Sequence, residues 1–240
     1  MAFTATLWGT LTAHAARPLI IDDADPVDRG IFEFDAGLTF EGYTGAEHWD
    51  FPFGLTYGLM KDVEVGIAFG GQIAETTHRE SGIGDLGIGA KWRFLESSSM
   101  GARHALVPIV KLPTADERKG LGSGETDYDL TWIVSWALGE RMGLHYNLGY
   151  TWIGGFEKNL VHYGIALDYQ LAVPVQWVGE VYAENEATRI QDADAACNTG
   201  LRWLPTDALM LDVAAGTRIH GDAPDITLTM GMTYSFGAGR

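Results

Sequence analysis

Cysteine is almost missing from this sequence: Cys197 stands alone among 240 residues. That excludes an internal disulfide framework and a metal site built from several thiolates. A buried or lipid-facing thiol is what Cys197 leads one to expect. Basic residues are scarce as well, 16 Lys and Arg against 32 Asp and Glu, for a formal charge of −16. So little positive charge denies the chain the basic footprint of a nucleic-acid binder, and no nucleic-acid partner is expected. Long hydrophobic runs are the third absence. Hydrophobic residues make up 46% of the chain, yet nowhere do they gather into the ~20 consecutive positions of a membrane helix.

The apolar residues are instead spread at every second position. In 226–236, Ile226, Leu228, Met230, Met232, Tyr234 and Phe236 share one face, and Thr227, Thr229, Gly231, Thr233 and Ser235 the other. Period-two alternation describes a strand with one apolar and one polar side. A run of about a dozen residues exceeds the usual globular strand and fits a tilted crossing of the hydrocarbon layer. The pattern recurs twelve times, beginning with Phe32, Phe34, Ala36, Leu38 and Phe40 opposite Glu33, Asp35, Gly37, Thr39 and Glu41. The run at 105–112 is the least regular, because Pro108 interrupts it.

The connections alternate in length. Those at 58–62, 139–142, 172–174 and 205–208 are short, while 71–82, 113–125, 184–195 and 218–225 are longer and polar. Short periplasmic turns and longer outer loops are the asymmetry of a membrane barrel. Two connections fit less well: 42–46 is short for an outer loop, and 95–103 is long for a turn. Seven of the eight tryptophans, all but Trp8, fall on the apolar face, and Trp49, Trp92, Trp136, Trp152, Trp177 and Trp203 lie near run ends, as in the aromatic girdles of such barrels. A soluble lipocalin-like barrel would turn most of its aromatics inward. The fold class predicted is all-β: a transmembrane antiparallel up-and-down barrel of about twelve strands in the bacterial outer membrane.

Residues 1–15, MAFTATLWGTLTAHA, end in the small-residue pattern Ala13-His14-Ala15 of a signal cleavage site, although no Lys or Arg precedes Arg17. A truncated signal peptide over 1–15, a periplasmic N-terminal segment over 16–30 and a barrel over 31–240 are the expected divisions. In the segment, Leu19-Ile20-Ile21 is too apolar to stay hydrated, and Asp22, Asp23 and Asp25 follow at once. We expect it to fold back to the periplasmic mouth and narrow the lumen there, the alternative being a dangling terminus.

The inward face is rich in charge. Buried charges must be paired or hydrated, so its members either brace the wall or line a hydrated path whose charge selects solutes. Asp85, Lys91, Arg93, Asp127, Asp129, Arg202, Asp212 and Arg218 are the candidate lumen and selectivity residues. Their order along the runs predicts a basic cluster at the inner mouth (Lys91, Arg93 and Arg202, with Asp212 opposite Arg202) below an acidic outer vestibule holding Asp127 and Asp129. Catalytic signals are weak. His48, His78, His145, His162 and His220 are the candidate histidines. His145 and His162 point inward on neighbouring runs but at different heights, which describes separate polar groups rather than a metal pair or a catalytic set. There is no G-x-S-x-G elbow and no His-x-x-x-His spacing. GIGDLGIG lacks the Lys-Ser/Thr and the helix of a phosphate loop. Neither a catalytic residue, a metal nor a cofactor is expected.

Two stretches, SGIGDLGIGAKWRFL at 81–95 and KLPTADERKGLGSG at 111–124, resemble the outer-membrane family named for the meta-pathway of phenol degradation. RPLIIDD at 17–23, with Gly30 and Phe34 after it, and FGLTYGLMKDVEVG at 53–66 are similar to the same family. The resemblance spans most of 17–236, and GIGDLGIGAKWRF is its most specific part. It implies a monomer-sized barrel associated with uptake of aromatic or other hydrophobic compounds. The tail is a departure, since such barrels usually finish at the aromatic residue and this chain continues past Phe236. The expected function is therefore passive passage of small solutes, hydrophobic or aromatic ones among them. The expected partners are outer-membrane lipid, the solute, and the barrel assembly machinery during insertion. A sealed structural or surface-interaction barrel is the alternative, and a lipid-interface enzyme comes third.

Overall fold

A computed structural model describes residues 17–75, 79–97, 101–119, 121–122, 124–155, 158–189 and 192–238. The signal expected over 1–15 and the candidate His78 lie outside them. Thirteen strand segments follow one another: β1 (Ile31–Tyr43), β2 (Ala46–Met60), β3 (Val63–Glu75), β4 (Arg79–Ile83), β5 (Leu86–Ser97), β6 (Ala102–Leu112), β7 (Asp127–Ala137), β8 (Met142–Trp152), β9 (Leu160–Ala172), β10 (Val175–Glu186), β11 (Asp194–Thr206), β12 (Leu209–His220) and β13 (Ile226–Gly237). Each pairs antiparallel with its sequence neighbours, except that β4 and β5 do not pair with each other, and β1 pairs with β13 from Ile31↔Gly237 to Gly42↔Ile226. The sheet therefore closes on itself and leaves no edge, the condition for a sheet to cross a bilayer. β4 and β5 both pair with β3 and form one interrupted strand, so the barrel has twelve staves.

The interruption at Gly84 and Asp85 has a parity cause. Gly71↔Ile83 and Ala68↔Gly87 differ by one residue in register, so two residues, Asp85 and Leu86, face Phe69. Such a bulge keeps both Ile83 and Leu86 on the outer face. Pro108 does not end β6, but the β5 ladder skips the positions around it, from Gly89↔Ile109 to Trp92↔Leu106. A residue without an N–H cannot make that bond. Pro52 acts likewise between β1 and β2, where the ladder passes from Ala36↔Phe53 to Thr39↔Asp50.

Two of the expected connections change. The loop expected at 71–82 is mostly a hairpin, made by the end of β3 and all of β4. Its alternation is faint in sequence because the face that carries Ile73 and Ile83 also carries Glu75, Arg79 and Ser81. The over-long connection at 95–103 shrinks to 98–101, since β5 runs to Ser97 and β6 starts at Ala102. The turn between β1 and β2 is only Thr44 and Gly45, with Gly45 at φ 87°, a conformation that suits glycine. Its short length matches the hairpin count rather than the outer-loop expectation.

Large apolar side chains stand exposed all round the outside, among them Ile67, Trp92, Trp152, Trp203, Met230 and Phe236. In water such a surface would aggregate; in a bilayer it is the lipid-facing belt. Aromatic pairs stand at both ends of the staves as well as between them. Phe32 lies against Tyr57 and Phe236 at the end expected to face the periplasm, and Phe40 against Trp49 at the opposite end. Cysteines placed on opposite sides test this topology. With Cys197→Ser as background, Gly122→Cys is expected to react with a membrane-impermeant thiol reagent in intact cells and Thr206→Cys to stay unlabelled; the reverse pattern would invert the barrel.

Candidate functional site

Residues 17–28 lie inside the barrel and make its lumen a composite of wall and segment. Backbone N–H groups of Ile20 and Ile21 donate to the Glu180 carboxylate, at 2.8 Å for Ile21. The N–H of Ala24 donates to Ser135 Oγ at 2.9 Å, and that of Val27 to Glu64 at 2.5 Å. Three wall residues thus receive four orphan donors of a stretch with no strand partner of its own, as buried backbone requires. Apolar packing adds to this: Leu19 and Ile21 are buried with Ala166, Val178 and Tyr182, and Ala24 with Ala105 and Ile133.

The wall is shaped for the segment by inward glycines. Gly37 and Gly231 face each other across the β1–β13 ladder, and the Arg17 guanidinium lies over both, where a Cβ on either would strike it. Gly164 makes the same room for Ile21. Arg17 reaches Asp212 at 3.2 Å and donates to the Met230 carbonyl at 2.9 Å.

The predicted lumen residues fall into three groups. Lys91 and Arg93 occupy the inner half and meet the acids of the segment. Lys91 is 2.8 Å from Asp22 and 3.8 Å from Glu64, and Arg93 is 2.5 Å from both Asp25 and Asp62. Arg202 and Asp212 stand directly opposite in the β11–β12 ladder. Arg202 is 0% exposed; it donates to the Arg17 carbonyl at 2.6 Å and to Gln176 at 3.2 Å. Asp85, Asp127 and Asp129 line the outer half. Lys111 bridges Asp85, at 3.1 Å, and Asp127. Asp129 accepts from Thr131 and Thr151, both at 2.8 Å, and pairs with His162 at 2.7 Å. Arg218 stands apart at the outer rim, paired with Asp225 at 2.5 Å.

Above the segment lies a vestibule of about 890 Å³, with Ile20 and Ile21 in its floor. Its walls carry Glu41, Asp50, Asp85, Asp127, Asp129, Glu184, Asp194 and Asp222 against Lys111 and His162. Ile20 is 58% exposed, an apolar group presented to an acidic chamber.

Sequence reasoning passed over several groups. Arg103, 2.9 Å from Asp25, and Lys111 were missed as site residues. So was a chain of three: Ser135 Oγ lies 2.8 Å from His145 Nδ1, and His145 Nε2 lies 2.6 Å from Asp168 Oδ2. The hairpin register held its signal, because Ser135↔His145 is a direct pair about the turn at 138–141. The order serine, histidine, aspartate is that of a nucleophile relay. Here the serine oxygen is fully buried and already accepts from Ala24, so the chain seats the segment. His145 and His162 sit apart, opposite Ala166 and Gly149.

The two stretches that carry the family resemblance meet in space. Thr114 Oγ1 accepts from Leu86 N–H at 2.9 Å and donates to the Gly84 carbonyl at 3.1 Å, Ala115 N–H donates to Asp85 at 2.9 Å, and Lys119 donates to the Ser81 carbonyl at 3.1 Å. The loop after β6 thus fastens the bulge between β4 and β5.

Among solved structures, the NanC porin is similar at a TM-score of 0.63 and 7% identity, over 84% of this chain and 98% of that one. The KdgM porin gives 0.62 and 10%, over 85% and 99%. The CymD monoaromatic hydrocarbon channel gives 0.54 and 8%, over 89% and 90%. Identities this low speak for the fold alone. No curated protein matches the chain by sequence. A family model matches residues 15–236, nearly the whole of the barrel and its inner segment, and the chain belongs to that family, described as "Putative MetA-pathway of phenol degradation".

Proposed function

We propose that the chain is a narrow outer-membrane channel for the passive passage of small solutes, with neutral and cationic ones favoured over anions at the outer entrance. The observation that carries this reading is a closed barrel whose apolar belt encloses a charged vestibule of about 890 Å³. A wall built only to be a wall has no need of such a chamber. Eight carboxylates against one lysine and one histidine attract cations and repel anions across a short low-dielectric mouth. Aromatic solutes are included because the family is described by phenol degradation and a similar fold is named a monoaromatic hydrocarbon channel. Another similar structure is described in complex with oligogalacturonate, a polyanion that acidic walls of this kind disfavour. The sealed barrel is the second reading, favoured by the segment that fills the inner half and meets its charges.

Conductance of the purified protein in a planar bilayer separates the two readings, a sealed barrel giving none. Replacing Lys91 and Arg93 together by glutamine is expected to raise cation selectivity, seen as a shift of reversal potential under a salt gradient. A current whose reversal potential stays put would make these residues braces of the wall.

A further inference from the structure

We propose that the vestibule binds an organic cation, its apolar body set on Ile20 and its positive charge beside Glu184 and Asp194. This names a solute class for the channel reading and rests on that reading for its role in passage. The floor supplies the first half. Leu19 and Ile21 turn to the wall and are buried, while the Ile20 side chain between them faces the chamber. Its backbone is fixed, because Ile20 and Ile21 both donate to Glu180. Below it Asp23, Lys91 and Arg202 are buried, so a solute entering from outside meets Ile20 before it can go further. A hydrated inorganic ion gains nothing from such a floor. An apolar group does, through the water that both surfaces release.

Strand register places the second half. Tyr182 packs on Ile21, and Glu184 is the next inward residue of β10, roughly 7 Å along the strand. That separation is on the scale of an ammonium carrying one ring. Asp194 stands directly opposite Glu184 in the β10–β11 ladder, and like charges so placed repel. His162 faces Glu184 from β9, but it is held by Asp129 at 2.7 Å. Among the described residues no hydrogen bond or ion pair engages the Glu184 carboxylate. Asp194 accepts the backbone N–H of Asp222 at 2.5 Å, which leaves its charge in place. A cation lying between the two carboxylates relieves their repulsion. Tyr43 and Tyr182 line the same chamber, and aromatic rings attract an ammonium as well. Floor and wall together therefore suit a solute that is apolar and positive at once, more than one that is either alone.

Calorimetric titration of the purified full-length protein in detergent tests the site, with benzyltrimethylammonium, tetramethylammonium and benzoate as probes. Benzyltrimethylammonium is expected to bind about tenfold more tightly than tetramethylammonium, the gain from burying roughly 55 Å² of ring surface. Benzoate, with a ring and the opposite charge, is expected not to bind. Ile20→Ser keeps the backbone donor to Glu180 and is expected to abolish the preference for the ring, while Ile20→Leu retains it. Glu184→Gln is expected to weaken both cations, by up to about fivefold, and to leave the preference between them. The inference is overturned by a ring that adds nothing, by a preference that survives Ile20→Ser, by cation affinity indifferent to Glu184→Gln, or by benzoate binding as well as the cations. The same probes, added to the outer side of a planar bilayer, are expected to reduce the current carried by potassium chloride. Binding with no current at any potential overturns the channel reading and upholds the site. Current without binding overturns the site alone.

Discussion

Deleting residues 16–28 is expected to raise single-channel conductance several-fold while the barrel remains folded. The segment contributes no strand pairing, so every ladder from β1–β2 round to β13–β1 survives its loss. What disappears is the material between the walls: the buried Leu19, Ile21, Ala24 and Val27 and the backbone that Glu180, Ser135 and Glu64 receive. Lys91 and Arg93 lose aspartate partners but gain water, so they become hydrated rather than stranded in a dry interior. A resistance to unfolding on gels like that of the intact protein would verify the fold. Unchanged conductance would mean that the segment does not occupy the lumen in the membrane. Gly37→Leu offers a milder version, because its side chain takes the place of the Arg17 guanidinium. An intermediate rise is expected from it.

Arg202→Met is expected to destabilise the barrel by about 3–5 kcal/mol, the usual cost of removing one partner from a buried charged network. Arg202 is fully buried and attracted by Asp168, Asp23 and Asp212. It also donates to the Arg17 carbonyl and to Gln176. Methionine fills much of the volume and none of these roles, leaving carboxylates uncompensated. Urea unfolding in lipid vesicles, followed by tryptophan fluorescence, reads the change. Arg202→Lys is expected to recover only part of it, since a point charge cannot reproduce the guanidinium fork. A midpoint equal to that of the unchanged protein would show that water, not protein, satisfies those acids.

The strands were legible wherever one face meets lipid, because there the contrast between neighbouring residues is large. It fades in 71–83, where the face of the β3–β4 hairpin that carries Ile73 and Ile83 also carries Glu75, Arg79 and Ser81. The bulge at Asp85 was visible in principle: Ile83 and Leu86 both need the outer face, and they differ in parity. Inward charge was legible from the same alternation, which marked Lys91, Arg93, Asp127, Asp129, Arg202 and Asp212 as lumen groups. Which of them meet was not. Arg17 to Asp212 spans 195 positions, and the depth at which the segment crosses the barrel depends on where glycines open the wall. Gly37 and Gly231 look alike in sequence to every other inward glycine. Only their pairing across the seam makes them a seat.

That seam carries a temporal consequence. β1 and β13 are the two ends of the barrel chain, so their pairing joins the first strand made to the last. Arg17 rests on a glycine from each and also holds Asp212 of β12. Its seat is therefore missing from every incomplete barrel, however many staves have assembled. The segment is synthesised before any strand and is the last part able to dock. Its docked state is a report, written into the molecule itself, that the cylinder has closed in the correct register.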